Sequence, residues 1–98
     1  MPNENNELNF IYKATPVTPS LMRIWMHVPE FESDMRFLLS TKKHISNEDI
    51  LNSMERIFDH YQSMLLNGDS MPPYVYMGSM RRGRNQMRRA LGRDSIQD

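Results

Sequence analysis

The clearest pattern of hydrophobic and polar positions lies between residues 47 and 66. Isoleucine, leucine, methionine and aromatic side chains recur there at intervals of three and four residues, which is the period of an amphipathic α-helix. Ser46 or Asn47 can cap this helix, and the acidic residues that follow directly suit its first turn. Gly68 can end it in the left-handed conformation. The pattern therefore predicts a helix of about five turns.

Two shorter helices are predicted upstream of this one. Residues 21–28 are almost all apolar and follow Ser20, which can serve as an N-cap. Pro29 suits the first turn of the next helix, and acidic residues follow it near the positive end of the helix dipole. Phe31 and Met35 then begin an apolar stripe that continues with a pair of leucines. Both helices can bury an apolar face against the longer helix.

The first 19 residues carry a weaker pattern. Leu8, Phe10 and Tyr12 alternate with other residues as in a strand, but Ile11 interrupts the alternation. Two prolines three residues apart then hold the chain extended and discourage helix. We therefore expect residues 1–19 to form an extended or disordered arm.

The C-terminal part of the chain predicts a linker and a basic helix. Residues 67–78 include two consecutive prolines, which favour polyproline II over helix. Wound at 100° per residue, residues 79–92 form an amphipathic helix with a narrow apolar stripe and a basic face about half a turn wide. Ser79 can cap its start and Gly92 its end. Six arginines supply the positive charge of residues 79–98: Arg81, Arg82, Arg84, Arg88, Arg89 and Arg93.

This basic helix looks marginal when it is considered alone. About 14 residues are few for an isolated helix, and Gly83 costs roughly 1 kcal/mol relative to alanine. Arg81 and Arg82 also lie at the unfavourable end of the helix dipole. We expect the helix to be frayed until its apolar stripe docks or its arginines meet anions.

Together these elements predict an all-α fold. A small three-helix domain at residues 20–66 follows the N-terminal arm, and a linker at 67–78 leads to the basic C-terminal helix and tail at 79–98. The expected core residues are Leu21, Ile24, Trp25, Phe31, Met35, Leu38, Leu39, Ile50, Leu51, Met54, Ile57, Phe58, Tyr61 and Leu65.

The distribution of charge is uneven although the formal net charge is zero. Residues 1–76 carry six basic and ten acidic residues, a balance of −4, whereas residues 77–98 carry six arginines and two aspartates, a balance of +4. Such asymmetry points to a charged partner or to a second copy of the chain. Two alanines, ten methionines and the arginine-rich end also resemble the composition of small viral or phage proteins, which identifies no family.

Enzyme, metal and cofactor chemistry find little support in the sequence. The chain has no cysteine, and its three histidines stand at no helical metal-binding spacing. It contains no glycine-rich phosphate loop and no strained-turn serine. No apolar run approaches about 20 residues, and the polar, acidic first residues lead us to expect no secretory signal. We expect a non-enzymatic protein without metal, cofactor or membrane anchor, in the cytoplasm or nucleus.

The arginines suggest what such a protein binds. A guanidinium pairs bidentately with phosphate or carboxylate and stacks on bases, whereas lysine does neither. The first hypothesis is therefore binding of nucleic acid, with RNA or a single strand favoured, through all six arginines. The alternative is a protein-interaction adaptor that grips an acidic partner with the same arginines. Its adaptable apolar surface, which can also serve a homo-oligomer, is Met22, Trp25, Met26, Met80, Met87 and Leu91.

Overall fold

Five α-helices form the regular structure of residues 4–98, the part of the chain that this computed structural model describes; the side chains of residues 4–7 and 14 are not included. The helices are α1 (Glu4–Ala14), α2 (Pro19–Met26), α3 (Pro29–Thr41), α4 (Asn47–Leu66) and α5 (Met77–Ala90). The described residues contain no β-strand, so the predicted all-α class is confirmed.

Helix α4 begins and ends as its sequence predicts. The Oγ of Ser46 accepts a hydrogen bond from the Asp49 amide at 3.1 Å, and the Asp49 carboxylate accepts one from the Ser46 amide at 3.1 Å. This reciprocal capping box satisfies two amides that the helix leaves unpaired. At the other end Gly68 has a φ of 77°, and the Asp69 amide donates to the Met64 carbonyl at 2.9 Å.

Helix α4 lies between α3 and α5. On the α3 side, Tyr61 donates a hydrogen bond to Glu30 at 2.6 Å and Ser53 donates one to Asp34 at 2.6 Å. Because the earlier residue of α3 contacts the later residue of α4, the two helices are antiparallel. Helix α5 packs on the opposite flank of α4, also antiparallel to it.

Helix α2 lies over α3 and α5, and Trp25 is its anchor. The Trp25 ring is fully buried, with its centroid 5.0 Å from that of Phe31. Its indole Nε1–H donates to the Met80 carbonyl of α5 at 3.1 Å. The apolar ring is therefore packed in the core while its polar N–H keeps a hydrogen-bond partner. The Thr18 amide, at the start of α2, donates to the Gln86 side chain at 2.9 Å. Helix α2 therefore runs antiparallel to α5.

The expected N-terminal arm is a helix over Glu4–Ala14, and residues 1–3 of that arm lie outside the described residues. Leu8 and Ile11, three residues apart, are both buried and pack with α2 and α3. Ile11 interrupts a strand-like alternation, but its spacing of three residues from Leu8 places both side chains on one face of a helix. The prediction of an extended conformation was therefore wrong for this segment.

Two other helix starts differ from their predicted positions. Helix α2 begins at Pro19 with Thr18 as N-cap, instead of being capped by Ser20, because proline is favourable at the first helical position. Helix α5 begins at Met77 with Tyr76 as N-cap, two residues before the predicted start at 79. Met77 packs against the core from this added half turn.

The core largely follows the predicted stripes and includes further residues. Of the predicted core, Leu21, Ile24, Leu38 and Leu39 are only partly buried, and Leu65 is exposed. Residues that the prediction left out of the core are also buried: Leu8, Ile11, Val17, Met22, Met26, Val28, Met80 and Met87. Each helix of the described chain is too short or too polar to span a lipid bilayer.

Candidate binding site on the arginine helix

The six arginines of α5 and its C-terminal extension differ in their surroundings. Among the described residues, four of them form ion pairs with carboxylates of the same chain, and two do not. The pairs are Arg81 and Arg84 with Asp98, Arg88 with Glu55, and Arg93 with Glu48. The predicted basic face is therefore largely matched by acids that belong to the fold itself.

Arg84 is buried, with only 1% of its surface exposed. Its guanidinium lies over the Phe58 ring at 4.5 Å from the centroid and donates to both carboxylate oxygens of Asp98, at 3.0 and 2.5 Å. It also donates to the Ile96 carbonyl at 3.0 Å and to the Asn85 side-chain oxygen at 3.1 and 3.2 Å. The expectation that Arg84 belongs to an exposed basic face was wrong, because α4 and residues 96–98 enclose it.

The carboxylate of Asp98 is ionised in this setting. The hydrogen bonds and the charge of Arg84 lower its pKa below the ordinary aspartate value, although burial acts in the opposite direction. The Nε of Arg81 lies 3.6 Å from the same carboxylate and adds to this effect. That Nε is buried and makes no hydrogen bond within the described residues. The site thus retains one donor that Asp98 does not use.

Residues 94–98, which we call the tail, run back along α5 in the opposite direction. The Asn85 side chain donates a hydrogen bond through Nδ2 to the Ile96 carbonyl at 3.1 Å, and its Oδ1 accepts one from the Ile96 backbone amide at 3.1 Å. Arg88 donates through Nε to the Asp94 carbonyl at 2.6 Å. Side chains of α5 therefore bind the backbone of the tail at alternate residues.

Gly92 makes this reversal of direction. It has a φ of 76°, and the Arg93 amide donates to the Arg88 carbonyl at 2.8 Å. This is the left-handed helix ending that glycine adopts without strain. The predicted role of Gly92 as the end of the helix is confirmed, and the same turn directs the tail onto α5.

Two acids of α4 pair with the basic extension at its C-terminal end. Arg88, with 18% of its side chain exposed, contacts Glu55, and the more exposed Arg93 contacts Glu48. These pairs join the acidic and basic parts of the chain within one molecule. The uneven charge of the sequence is thereby partly neutralised inside the fold.

Arg82 and Arg89 remain on the exposed surface without an ion pair among the described residues. They are seven positions apart in the sequence, so they share one face of α5 and their backbone positions lie about 10.5 Å apart along its axis. Arg82 donates to the Ser79 hydroxyl at 3.0 Å, and Arg89 donates to the Ser95 hydroxyl at 2.6 Å. We call these two arginines the exposed arginine pair.

The predicted partner surface lies inside the molecule. Trp25, Met22, Met80 and Met87 are fully buried, Met26 is nearly so, and Leu91 is half-buried. The apolar stripes of α2 and α5 face each other instead of a partner. The interpretation of these side chains as an interface is therefore corrected to a core role.

Gly83 is what allows α2 and α5 to approach so closely. A Cβ added at Gly83 would lie 2.8 Å from the Cδ1 and Nε1 atoms of Trp25, closer than carbon atoms pack. The glycine that weakens α5 as an isolated helix therefore permits its docking. The apolar stripe of α5 is docked on the core, which is the condition under which the sequence allowed this helix to be stable.

An apolar cleft outside the predicted site lies beside the N-terminus of α5. It has a volume of about 430 Å³ and is lined by Ile24, His27, Pro73, Tyr74 and Tyr76. Tyr76 is largely exposed. The proline-rich linker brings Pro73, Tyr74 and Tyr76 to the C-terminal end of α2. No periodic pattern in the sequence predicted this cleft.

Within the described residues, no three histidine, aspartate or glutamate side chains lie close enough to hold a metal ion. No protein-family model, curated protein or solved structure matches the chain. A function can therefore be proposed only from the chain's own geometry.

Proposed function

We propose that this is a small non-enzymatic binding protein that contacts an acidic surface of a partner protein through the exposed arginine pair. The observation that carries the proposal is the pairing of four arginines with internal carboxylates, which leaves Arg82 and Arg89 directed outward. Two exposed arginines whose backbone positions lie about 10.5 Å apart along one helix suit two separate carboxylates.

Nucleic acid is the second candidate, and the same geometry favours it less. A phosphate strand laid along α5 would pass near Glu48, Glu55 and Asp98, which already pair with four of the six arginines. If only Arg82 and Arg89 met phosphates, the logarithm of affinity would fall against the logarithm of salt with a slope of about −1.4 for a single strand. All six arginines would give about −4. Binding of RNA through the six stays a prediction.

A titration followed by NMR tests the proposal. One ligand is a helical alanine-based peptide with glutamates at seven-residue spacing, and the other is a single-stranded RNA of twelve nucleotides. We expect the glutamate peptide to shift the signals of Arg82, Gln86 and Arg89, whereas the same peptide with glutamines leaves them unchanged. Replacing both arginines by alanine should weaken binding about tenfold, since each exposed pair contributes up to roughly 1 kcal/mol.

The matched control is Arg23→Ala, which removes an exposed arginine of α2. A control that loses half as much binding free energy as the double variant, in proportion to the one charge removed against two, would mean that net charge alone is measured and would overturn the proposal. Tight RNA binding with a salt slope near −4 would instead assign the arginines to nucleic acid.

A further inference from the structure

We propose that the face of α5 beneath the tail is a binding site for an extended acidic peptide of a partner protein, and that the tail occupies it as an internal competitor. The ligand is a segment with an apolar residue followed two positions later by a carboxylate, as Ile96 and Asp98 are in the tail. We call the α5 side chains that hold it the peptide cradle: Arg81, Arg84, Asn85 and Arg88. This inference shares an acidic protein partner with the proposed function but rests on other side chains of α5; Arg89, which donates to Ser95 of the tail, borders both sites.

The contacts of the cradle are those of a peptide receptor. Asn85 binds both the amide and the carbonyl of Ile96, as a neighbouring β-strand would. Arg88 binds the carbonyl two residues earlier, at Asp94. Backbone contacts of this kind hold any extended segment, whatever its side chains. They give affinity without sequence specificity.

Specificity comes from the carboxylate position. Arg84 binds both oxygens of Asp98, and such bidentate pairs are the strongest hydrogen bonds a carboxylate forms. Arg84 is itself held from below by the Phe58 ring and from the side by Asn85. The guanidinium is therefore fixed before any ligand arrives, which lowers the entropic cost of binding. Arg81 still has an unused buried donor at the same position.

The tail has the properties of a displaceable ligand. It leaves α5 through the single turn at Gly92, and side chains of α5 make the hydrogen bonds that hold it. The Ile96 side chain remains partly exposed, at 36%. Releasing the tail therefore uncovers the cradle while Trp25, Met80 and Met87 keep α5 docked on the core.

The strength of the competition can be estimated. A segment joined by a few residues has an effective concentration on the order of 1 mM. If the free segment binds with a Kd of about 100 µM, the population with the tail bound in the cradle is about ten times the population with the tail detached. An outside peptide then binds the intact chain about tenfold more weakly than a chain whose tail is weakened.

Fluorescence anisotropy with a labelled peptide tests the inference. The probe is the sequence of residues 94–98, Asp-Ser-Ile-Gln-Asp, with an amidated C-terminus, and its control ends in asparagine. The proteins are the wild-type chain and the Asp98→Asn variant, both checked for folding by circular dichroism. We expect the probe to bind Asp98→Asn about tenfold more tightly than the wild type, and the control peptide to bind at least tenfold more weakly than the probe.

Two further variants separate the cradle from general charge. Adding Asn85→Ala to the Asp98→Asn chain should abolish binding of the probe; Arg81→Ala replaces it if that chain does not fold. Arg23→Ala, added to Asp98→Asn in the same way, should leave binding unchanged. Binding of the probe depends on Asn85, whereas binding of the glutamate peptide depends on Arg82. Either proposal can therefore fail while the other stands.

Three outcomes would overturn the inference. The first is no binding of the probe to a folded Asp98→Asn chain. The second is equal binding of the probe and the asparagine-ended control, which would mean that Arg84 does not read the carboxylate. The third is dimerisation of the wild-type chain, seen by light scattering and abolished by Asn85→Ala. It would assign the cradle to a second copy's tail and not to a partner.

Discussion

At the scale of single residues, Arg84 shows how a buried charge is accommodated. Arginine stays protonated at any physiological pH, so burial cannot be relieved by loss of a proton. Its neighbours supply a carboxylate, a carbonyl, a side-chain amide oxygen and an aromatic face. The interactions of Arg84 are thus satisfied within the monomer, which explains why Asp98 is held on α5.

A second residue-scale feature, the contact between Gly83 and Trp25, leads to a stability prediction. Gly83→Ala gains about 1 kcal/mol of helix propensity but places a methyl group 2.8 Å from the indole. Overpacking typically costs about 1–3 kcal/mol, so we expect a net loss of up to about 2 kcal/mol in the free energy of unfolding. Urea denaturation measures it.

Gly78→Ala is the matched control in the same helix. The nearest atom to its added Cβ is Arg82 Nη1 at 3.9 Å, an ordinary contact. This variant should be neutral or stabilised by up to about 1 kcal/mol. If both substitutions stabilise the protein, the close approach of Trp25 does not constrain Gly83.

Sequence reasoning finds the helical position of such residues but not their neighbours. Arg84 lies only about 40° from Met80 on the helical wheel, at the edge of the apolar stripe. That position was a signal of burial, but nothing in the pattern placed Asp98 or Phe58 opposite it. Asn85 carried no signal at all, because an amide on a helix is usually solvated.

At the scale of elements, the strength of the apolar pattern decided what could be predicted. Helix α4 has an apolar stripe along its whole length together with both a capping box and a glycine ending, and its bounds were predicted to within one residue. Helix α1 rests on Leu8 and Ile11 with Tyr12 partly buried. So short a stripe also fits a strand, and only packing against α2 and α3 distinguishes the two.

The docking of α1 can be tested through its own residues. Ile11 is fully buried, so Ile11→Ala should destabilise the protein by about 2–4 kcal/mol. The adjacent Phe10 is substantially exposed, and Phe10→Ala should change stability by less than about 0.5 kcal/mol. Thermal unfolding of both variants measures the difference. Small and equal effects would mean that α1 does not dock.

At the scale of the whole molecule, the acidic and basic parts of the chain complement each other. Glu48 and Glu55 of α4 face Arg93 and Arg88 across the antiparallel α4–α5 contact. The sequence indicated this asymmetry but could not show whether the partner was internal. The fold uses part of it internally and leaves the exposed arginine pair outside.

The same electrostatics predict how stability depends on pH. The pKa of Asp98 is lowered by Arg84, and the pKa of Asp49 by hydrogen bonds from Lys42 and the Ser46 amide. A lowered folded-state pKa gives stability that is complete above the usual aspartate value of 3.8 and is lost as the pH falls through the folded value. We therefore expect the free energy of unfolding to fall in acid below that value.

Asp98→Asn should make this acid dependence shallower, because Arg84 and Arg81 facing it carry charges that do not titrate. Urea unfolding across the acid range, followed by circular dichroism, compares the variant with the wild type. An identical slope would contradict the assigned ion pair.

The burial of Trp25 gives the molecule a built-in optical reporter. The chain has one tryptophan, and its indole donates directly to the backbone of α5. Any separation of α2 from α5 would bring water to that ring and shift its emission to longer wavelength. Detachment of the tail alone would leave the spectrum unchanged, so this unlabelled measurement reports opening of the core and is insensitive to opening of the cradle.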